Sequence, residues 1–214
     1  DPTKAIHAAG NNGIYVNCSG PATPPVPATE PCEAIMQAWY PGEKGGDAVA
    51  DVIFGDYNPS GKLPITFYRS VEDLPDFLDY TMKNRTYRYF NGSPLWHFGY
   101  GMSYTSFEFG KPKYKQGKLT VDVKNSGKFD GDEVVQVYIR RIDDVNGPIK
   151  TLKAFKRITL KAGEKQNICI DMPRESFEVW DAETNTMRVV SGKYEVMVGN
   201  SSRAEDLKTI TVKI

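Results

Sequence analysis

Two rhythms of hydrophobic and polar residues divide this chain. From Phe107 onward apolar side chains recur at every second position. Leu119, Val121 and Val123 alternate with polar residues, and so do Val135, Val137 and Ile139. The runs LKAFKRITL, KQNICIDM, GKYEVMVG and LKTITVKI continue the pattern. A period of two belongs to a strand with one buried face. Turn signals separate the runs, at Asn125-Ser126-Gly127, Asn146-Gly147-Pro148, Ala162-Gly163, Ser191-Gly192 and Gly199-Asn200. Seven or so short strands at this spacing predict an antiparallel β-sandwich over residues 107–214.

The first part of the chain has a different rhythm. Residues 13–19, GIYVNCS, read as a buried strand running into a loop. Four prolines between Gly20 and Pro27 exclude a continuous helix there. Residues 34–40, AIMQAWY, are short and stop at Pro41-Gly42, which favours a second strand. In DAVADVIFG, the residues Ala48, Val49, Val52 and Ile53 share one helical face. Asp47 stands at the positive end of that helix, and Gly55 is placed to cap its C-terminus. After the turn Asn58-Pro59-Ser60-Gly61, LPITFY is expected to be another strand. This order suits an open α/β layer, and residues 1–70 are short for a whole one. The predicted class is therefore mainly β: an immunoglobulin-like or fibronectin type III-like antiparallel sandwich, preceded by what reads as only the end of an open α/β layer.

Between the two lies a segment with neither rhythm. Tyr87 to Phe107 reads YRYFNGSPLWHFGYGMSYTSF. Aromatic rings in an irregular linker are costly to leave in water. Residues 71–106 are thus expected to lie against folded surface on both sides and to tie residues 1–70 to residues 107–214.

Composition narrows the partners. Lys plus Arg equals Asp plus Glu, 27 of each, in 214 residues. Such a balance gives no electrostatic pull toward nucleic acid or an anionic membrane. No apolar run approaches the length of a membrane span. The N-terminal stretch DPTKAIHAAG lacks the basic and apolar regions of a signal peptide and looks cut from something longer. Cys18, Cys32 and Cys169 are odd in number and lack metal-like spacing, so they read as small buried apolar residues. Asn17, Asn84 and Asn200 head N-x-S/T sequons, which matter only where the source glycosylates secreted proteins.

Candidate chemistry is sparse. PGEKGGDAVAD could cradle an anion at a helix N-terminus, but it has the glycine order of neither a P-loop nor a dinucleotide site, and Asp47 would repel phosphate. It reads as a tight strand-to-helix turn. Asp47 and Asp51 lie four apart on one helix, whereas a glycoside-cleaving pair must flank the bond from opposite sides. They read as solvated. His97, between Trp96 and Phe98, has no Ser or Cys motif pointing to a triad and reads as a packed linker histidine. In NRTYRYF, an extended backbone would put Arg85, Tyr87 and Tyr89 on one face, with Arg88 opposite beside Thr86 and Phe90. Such a face could stack on a sugar or dock the linker, and docking is favoured because both flanks need holding. Trp180 in FEVWDAE and Tyr194 in GKYEVMV are expected in the sandwich core or at its corner. Two histidines and no Cys pair leave no metal constellation. No catalytic, cofactor-binding or metal residue and no cofactor is assigned.

Taken together, QAWYPGEKGGDAVADVIFGDYNPSGKLPITFY, LPDF, NRTYRYF, PLWHFGYGMSYTSF, VKNSGKFDGDEVVQVYI, LKAFKRITLKAGE and SGKYEVMVGNSSR resemble, in collinear order, the C-terminal part of glycoside hydrolase family 3. AWYPGEKGG followed by NRTYRYF looks most like the β-xylosidase/arabinosidase branch, and β-glucosidase is the alternative. The resemblance implies a retaining exo-glycosidase built from a β/α barrel, an α/β sandwich domain and a fibronectin type III-like domain. It implies that the nucleophilic Asp and the acid/base Glu lie upstream, so that this chain alone is inactive. It also implies that the partners of this chain are the upstream barrel and α/β domain of the same protein. An oligosaccharide would then be met only in the full-length enzyme, in a periplasmic or extracellular setting. Trp96 and His97 depart from the family's usual PLFPFGYG. The truncated α/β piece is expected to expose sheet edge and apolar surface, and so to be mobile or to self-associate. A carbohydrate-binding or adhesion sandwich is the reading from another class, and a planar row of exposed aromatics on one sandwich face would mark it.

Overall fold

The computed structural model describes residues 13–20 and 32–214. Most of the proline-rich loop, and the N-terminal stretch read for a leader, lie outside the described residues. Strand β1 (Ile14–Asn17) pairs in parallel with β2 (Ala34–Gln37), Ile14 opposite Ala34. Helix α1 (Gly45–Phe54) follows. It ends as the sequence foresees, with Gly55 at φ 86° in the left-handed region that glycine enters without penalty. Val49, Val52 and Ile53 are only half-buried, and Ala48 and Phe54 face solvent. Apolar side chains on α1 are thus left open to solvent.

LPITFY is not a strand. Pro64 has no N–H to give a ladder. The segment instead makes a ragged pairing with the aromatic segment. Leu63 N donates to Tyr100 O, Gly99 N to Leu63 O, Phe67 N to Trp96 O and Leu95 N to Phe67 O. One isolated bridge, Phe67 to Trp96, is all that remains of a sheet.

The sandwich is as the alternation predicts. One sheet has the order β12 (Leu207–Lys213), β11 (Lys193–Gly199), β6 (Gly131–Arg141) and β7 (Thr151–Leu160), all antiparallel. In the other, β5 (Lys118–Asn125) pairs on one edge with β8 (Lys165–Asp171). On its other edge it pairs with two short strands, β3 (Phe107–Phe109) and β4 (Lys113–Lys115). A hairpin of β9 (Glu178–Asp181) and β10 (Thr186–Val189) stands apart. The core is the set of alternating residues named from sequence. Leu119, Val121 and Val123 face Val135, Val137 and Ile139, with Ile158, Leu160, Ile168, Ile170, Val196 and Val198 filling the layer. Phe177 and Tyr194 close one end, their rings 5.4 Å apart and edge-on. Tyr194 is a corner residue as expected, its hydroxyl donating to Val190 O at 2.6 Å.

Two expectations about single residues fail. Trp180 is 56% exposed on the β9–β10 hairpin and belongs to neither core nor corner. Phe177 takes the core position instead, because Phe177 ends a 3-10 turn (Arg174–Phe177) that delivers its ring inward. The cysteines are not buried: Cys18 and Cys169 are exposed, Cys32 is intermediate, and all three are free. On β8 the residues Ile168 and Ile170 take the inward positions, so the period of two turns Cys169 outward.

Candidate functional site

The most organised polar and aromatic surface in the described residues runs along the outer face of β6. Alternation assigns Val135, Val137 and Ile139 to the core and leaves Gln136 and Tyr138 for solvent. Yet Gln136 is 3% and Tyr138 0% exposed. The aromatic segment covers them, so β6 is buried on both faces.

The segment reaches β6 through one helical turn, α2 (Thr86–Tyr89), so the expected extended face of Arg85, Tyr87 and Tyr89 does not form. Thr86 opens the turn at φ 56°, an uncommon conformation for a β-branched residue. Tyr68 steadies it by accepting a hydrogen bond from Thr86 N at 2.7 Å. The turn separates the three residues. Arg85 folds back on the linker, donating to the carbonyls of Thr81 and Asp79. Arg88 lies over the Tyr89 ring, with its guanidinium carbon 5.5 Å from the centroid. Tyr87 points at the sandwich. Its ring stacks on Phe98 at 4.2 Å and 16°, and both rings meet Tyr138 edge-on at 5.9 and 6.4 Å. Aromatic pairs of this kind contribute about 0.5–1.5 kcal/mol each beyond area burial. Docking, rather than a sugar platform, is therefore the role of Tyr87.

Hydrogen bonds fix the register of this strap. Leu152 N donates to the Tyr87 hydroxyl at 3.1 Å, Ile149 N to Arg88 O at 2.6 Å and Ser202 N to Phe98 O at 2.9 Å. Gln136 Nε2 donates to Gly99 O at 3.0 Å and Asn200 O at 2.7 Å, while its Oε1 accepts from the Tyr138 hydroxyl at 2.5 Å. Gly99 has φ 77°, and a Cβ there would sit 2.0 Å from Gln136 Oε1, so the close approach of strap and strand requires glycine. Burial pushes the phenols of Tyr87 and Tyr138 above the usual tyrosine range.

A second set of contacts joins the turn after α1 to the start of β6. Lys62 Nζ lies 2.8 Å from Glu133 Oε1, with the two side chains only 11% and 2% exposed. Lys62 also donates to Gly101 O, and Asn200 Nδ2 donates to Glu133 Oε2. Around the rim, Arg157 joins Asp132 and Ser60, and Asn58 Nδ2 donates to Asp130 O at 2.9 Å. Asn58 Oδ1 in turn accepts from Ser103 Oγ and Tyr104 N. The sequence showed Lys62 and Glu133 only as ordinary charges 71 positions apart. No local signal marks a pair that forms only when the domains meet.

The remaining candidates stay apart from one another. Asp47 and Asp51 are exposed on α1, and Asp47 makes a surface ion pair with Lys44 at 3.5 Å. Asn17 and Asn200 spend their amide nitrogens on Gln37 and Glu133, at 2.7 and 3.0 Å, so these two sequons are structural. His97 is half-buried in the strap. Desolvation, and then the nearby Arg203 and Lys150 charges, hold its pKa below the usual histidine value. Neutral His97 is thus the form that fits the fold. A depressed pKa gives stability that is complete above the unfolded value of about 6.5 and declines as pH falls below it. Urea midpoints are expected to drop from pH 7.5 to 5.5 in the native chain, and less steeply in His97→Gln. An equal drop in both would show that His97 is solvated.

Comparison with known proteins finds two domain families along this chain. The glycosyl hydrolase family 3 C-terminal domain model matches residues 2–104, and the fibronectin type III-like domain model matches residues 133–202. The chain belongs to glycoside hydrolase family 3, in the part that carries these two domains. A xylan 1,4-beta-xylosidase from Xylanibacter ruminicola is 51% identical across 99% of this chain and 25% of its own length. A periplasmic beta-glucosidase from Salmonella typhimurium is 35% identical across 93% of this chain and 29% of its own. The crystal structure of a Bifidobacterium adolescentis family 3 beta-glucosidase superposes with a TM-score of 0.88 at 30% identity, covering 99% of this chain and 34% of that one. The chain thus spans about a quarter to a third of the relatives it matches.

Proposed function

We propose that this chain is the non-catalytic C-terminal portion of a retaining exo-β-xylosidase that removes terminal pentoses from plant polysaccharide fragments. The observation that carries the reading is its 51% identity to the xylan 1,4-beta-xylosidase, against 35% to the periplasmic beta-glucosidase. The arabinosidase activity of the same branch, and a periplasmic or extracellular setting, belong to this proposal.

The sandwich then holds the α/β piece and its linker in one orientation, so that the rest of the enzyme docks on a defined surface. Supporting this, Phe77, Leu78 and Tyr80 are 87, 77 and 85% exposed in the linker ahead of the strap. Three large apolar side chains so close together in solvent mark a surface that another body covers. The test is hydrolysis of nitrophenyl β-xyloside, α-arabinoside and β-glucoside by the enzyme whose C-terminus is this chain, beside the isolated chain. The expected result is preference for a pentoside by the enzyme and no turnover by the chain. Preference for the glucoside would overturn the specificity, and turnover by the isolated chain would overturn the non-catalytic role.

A further inference from the structure

The chain carries a cavity of about 430 Å³ lined by α2 and by one end of the sandwich. It opens between α2, the end of β6, the start of β7 and the β9–β10 hairpin. That volume falls in the range of small-molecule sites. Arg88, Arg140, Arg141 and Lys153 contribute four positive charges, against the carboxylates of Asp144 and Glu178. Lys153 is already committed, donating to Glu178 O at 2.6 Å. Arg88 sets its guanidinium over the Tyr89 ring, 5.5 Å from the centroid. The Nε atoms of Arg88 and Arg141 are both buried, and neither has a hydrogen-bond partner. Among the described residues neither guanidinium joins an ion pair with a carboxylate.

A buried donor without a partner costs on the order of 1–3 kcal/mol, more when it is charged, and two on residues that line one cavity call for an explanation. A guanidinium presents a planar fork of donors that matches a carboxylate two bonds at a time. The cavity also has flat apolar walls. Tyr89 lines it beside Arg88, and Trp180 lines it while being 56% exposed on the hairpin. Aromatic faces next to polar groups suit the apolar face of a pyranose ring. The net positive charge, two guanidinium groups without a carboxylate partner and the exposed indole together favour one ligand class.

We infer that this cavity binds a carboxylate-bearing sugar, a uronate unit carried on an oligosaccharide. The carboxylate lies between Arg88 and Arg141, and the ring lies on Trp180. The inference goes beyond the reading of the chain as a structural support, and it does not depend on which glycoside the parent enzyme cleaves. It also differs from a general sugar-binding face, because no planar row of aromatics is involved and the charge is essential.

The test is NMR titration of the 214-residue chain, following the arginine Nε–H and Trp180 indole signals. The probes are xylotriose bearing a glucuronate branch, unbranched xylotriose, sodium sulfate and a hexa-aspartate peptide. The branched sugar is expected to shift Arg88, Arg141 and Trp180 together, saturably, and to bind about tenfold or more tightly than the unbranched one. Arg88→Gln and Arg141→Gln should each weaken it by about tenfold. Trp180→Ala, on an exposed side chain that leaves the fold intact, should weaken the sugar while leaving sulfate unaffected. Absence of saturable shifts with the branched sugar would overturn the inference, as would equal binding of unbranched xylotriose. Equal binding of sulfate would reduce the cavity to a simple anion site. Saturation by the acidic peptide but not the sugar would make it a protein-docking site. Each of these last two results would also overturn the assignment.

Discussion

Lys62→Met is expected to destabilise the chain by about 3–5 kcal/mol, read as a lower urea midpoint at unchanged slope. The reason is the position of its partner. Glu133 is 2% exposed on β6 and accepts from Lys62, from Asn200 Nδ2 and from Val134 N. Removing the ammonium leaves a carboxylate with little access to water and no counter-charge. The pair itself contributes much less than this figure, because both ions were desolvated to form it. Lys62→Met combined with Glu133→Leu is therefore expected to recover most of the loss. A cost under about 1 kcal/mol for Lys62→Met alone would mean that the pair is solvated like a surface bridge.

Tyr87→Ala is expected to cost about 2–3 kcal/mol, at or below the low end of the range for a fully buried aromatic side chain, because Tyr87 is half-buried. The change removes the ring stacked on Phe98, leaves Tyr138 facing a void and takes away the acceptor of Leu152 N. Tyr87→Phe isolates the hydroxyl and should cost about 1 kcal/mol. The loss in Tyr87→Ala should appear with protease cutting in the linker at residues 71–86 before the sandwich unfolds. An alanine variant as stable as the native chain would mean that the strap rests on the sandwich without bonding to it.

These two sites show where the sequence was legible and where it was not. The sandwich was readable because its strands obey a period of two and the core chosen by that period is the core observed, from Leu119 to Val198. Short strands such as β3 and β9 were missed, since three or four residues carry too little periodicity. Pro64 misled in LPITFY, where apolar composition suggested a strand that the missing N–H forbids. The aromatic density of Tyr87–Phe107 pointed to a segment packed on folded surface, and Tyr87 and Phe98 do pack against Tyr138. Its partners were hidden, because Gln136 and Tyr138 occupy positions that the alternation reserves for solvent. Their burial follows only from the strap laid across them. The turn at Thr86 was equally hidden: a left-handed β-branched residue is not a choice that local propensity makes, and tertiary contacts impose it. Arg141 carried no signal in the sequence, and Arg88 read only as part of the linker face, until the fold brought both to one cavity.

The central claim is that the strap and the outer face of β6 form one cooperative body joining the α/β piece to the sandwich. Native-state hydrogen exchange of the 214-residue chain tests it most directly. The reporters are the amides of Ile149, Leu152 and Ser202, which donate to the strap at Arg88 O, the Tyr87 hydroxyl and Phe98 O. The comparison is the amide of Val137 in the core of β6. Cooperative docking predicts that all four exchange within about tenfold of one another, since the strap opens only when the sandwich does. If the three reporters exchange about a hundredfold or more faster than Val137, the strap opens by itself and the two parts are not held as one.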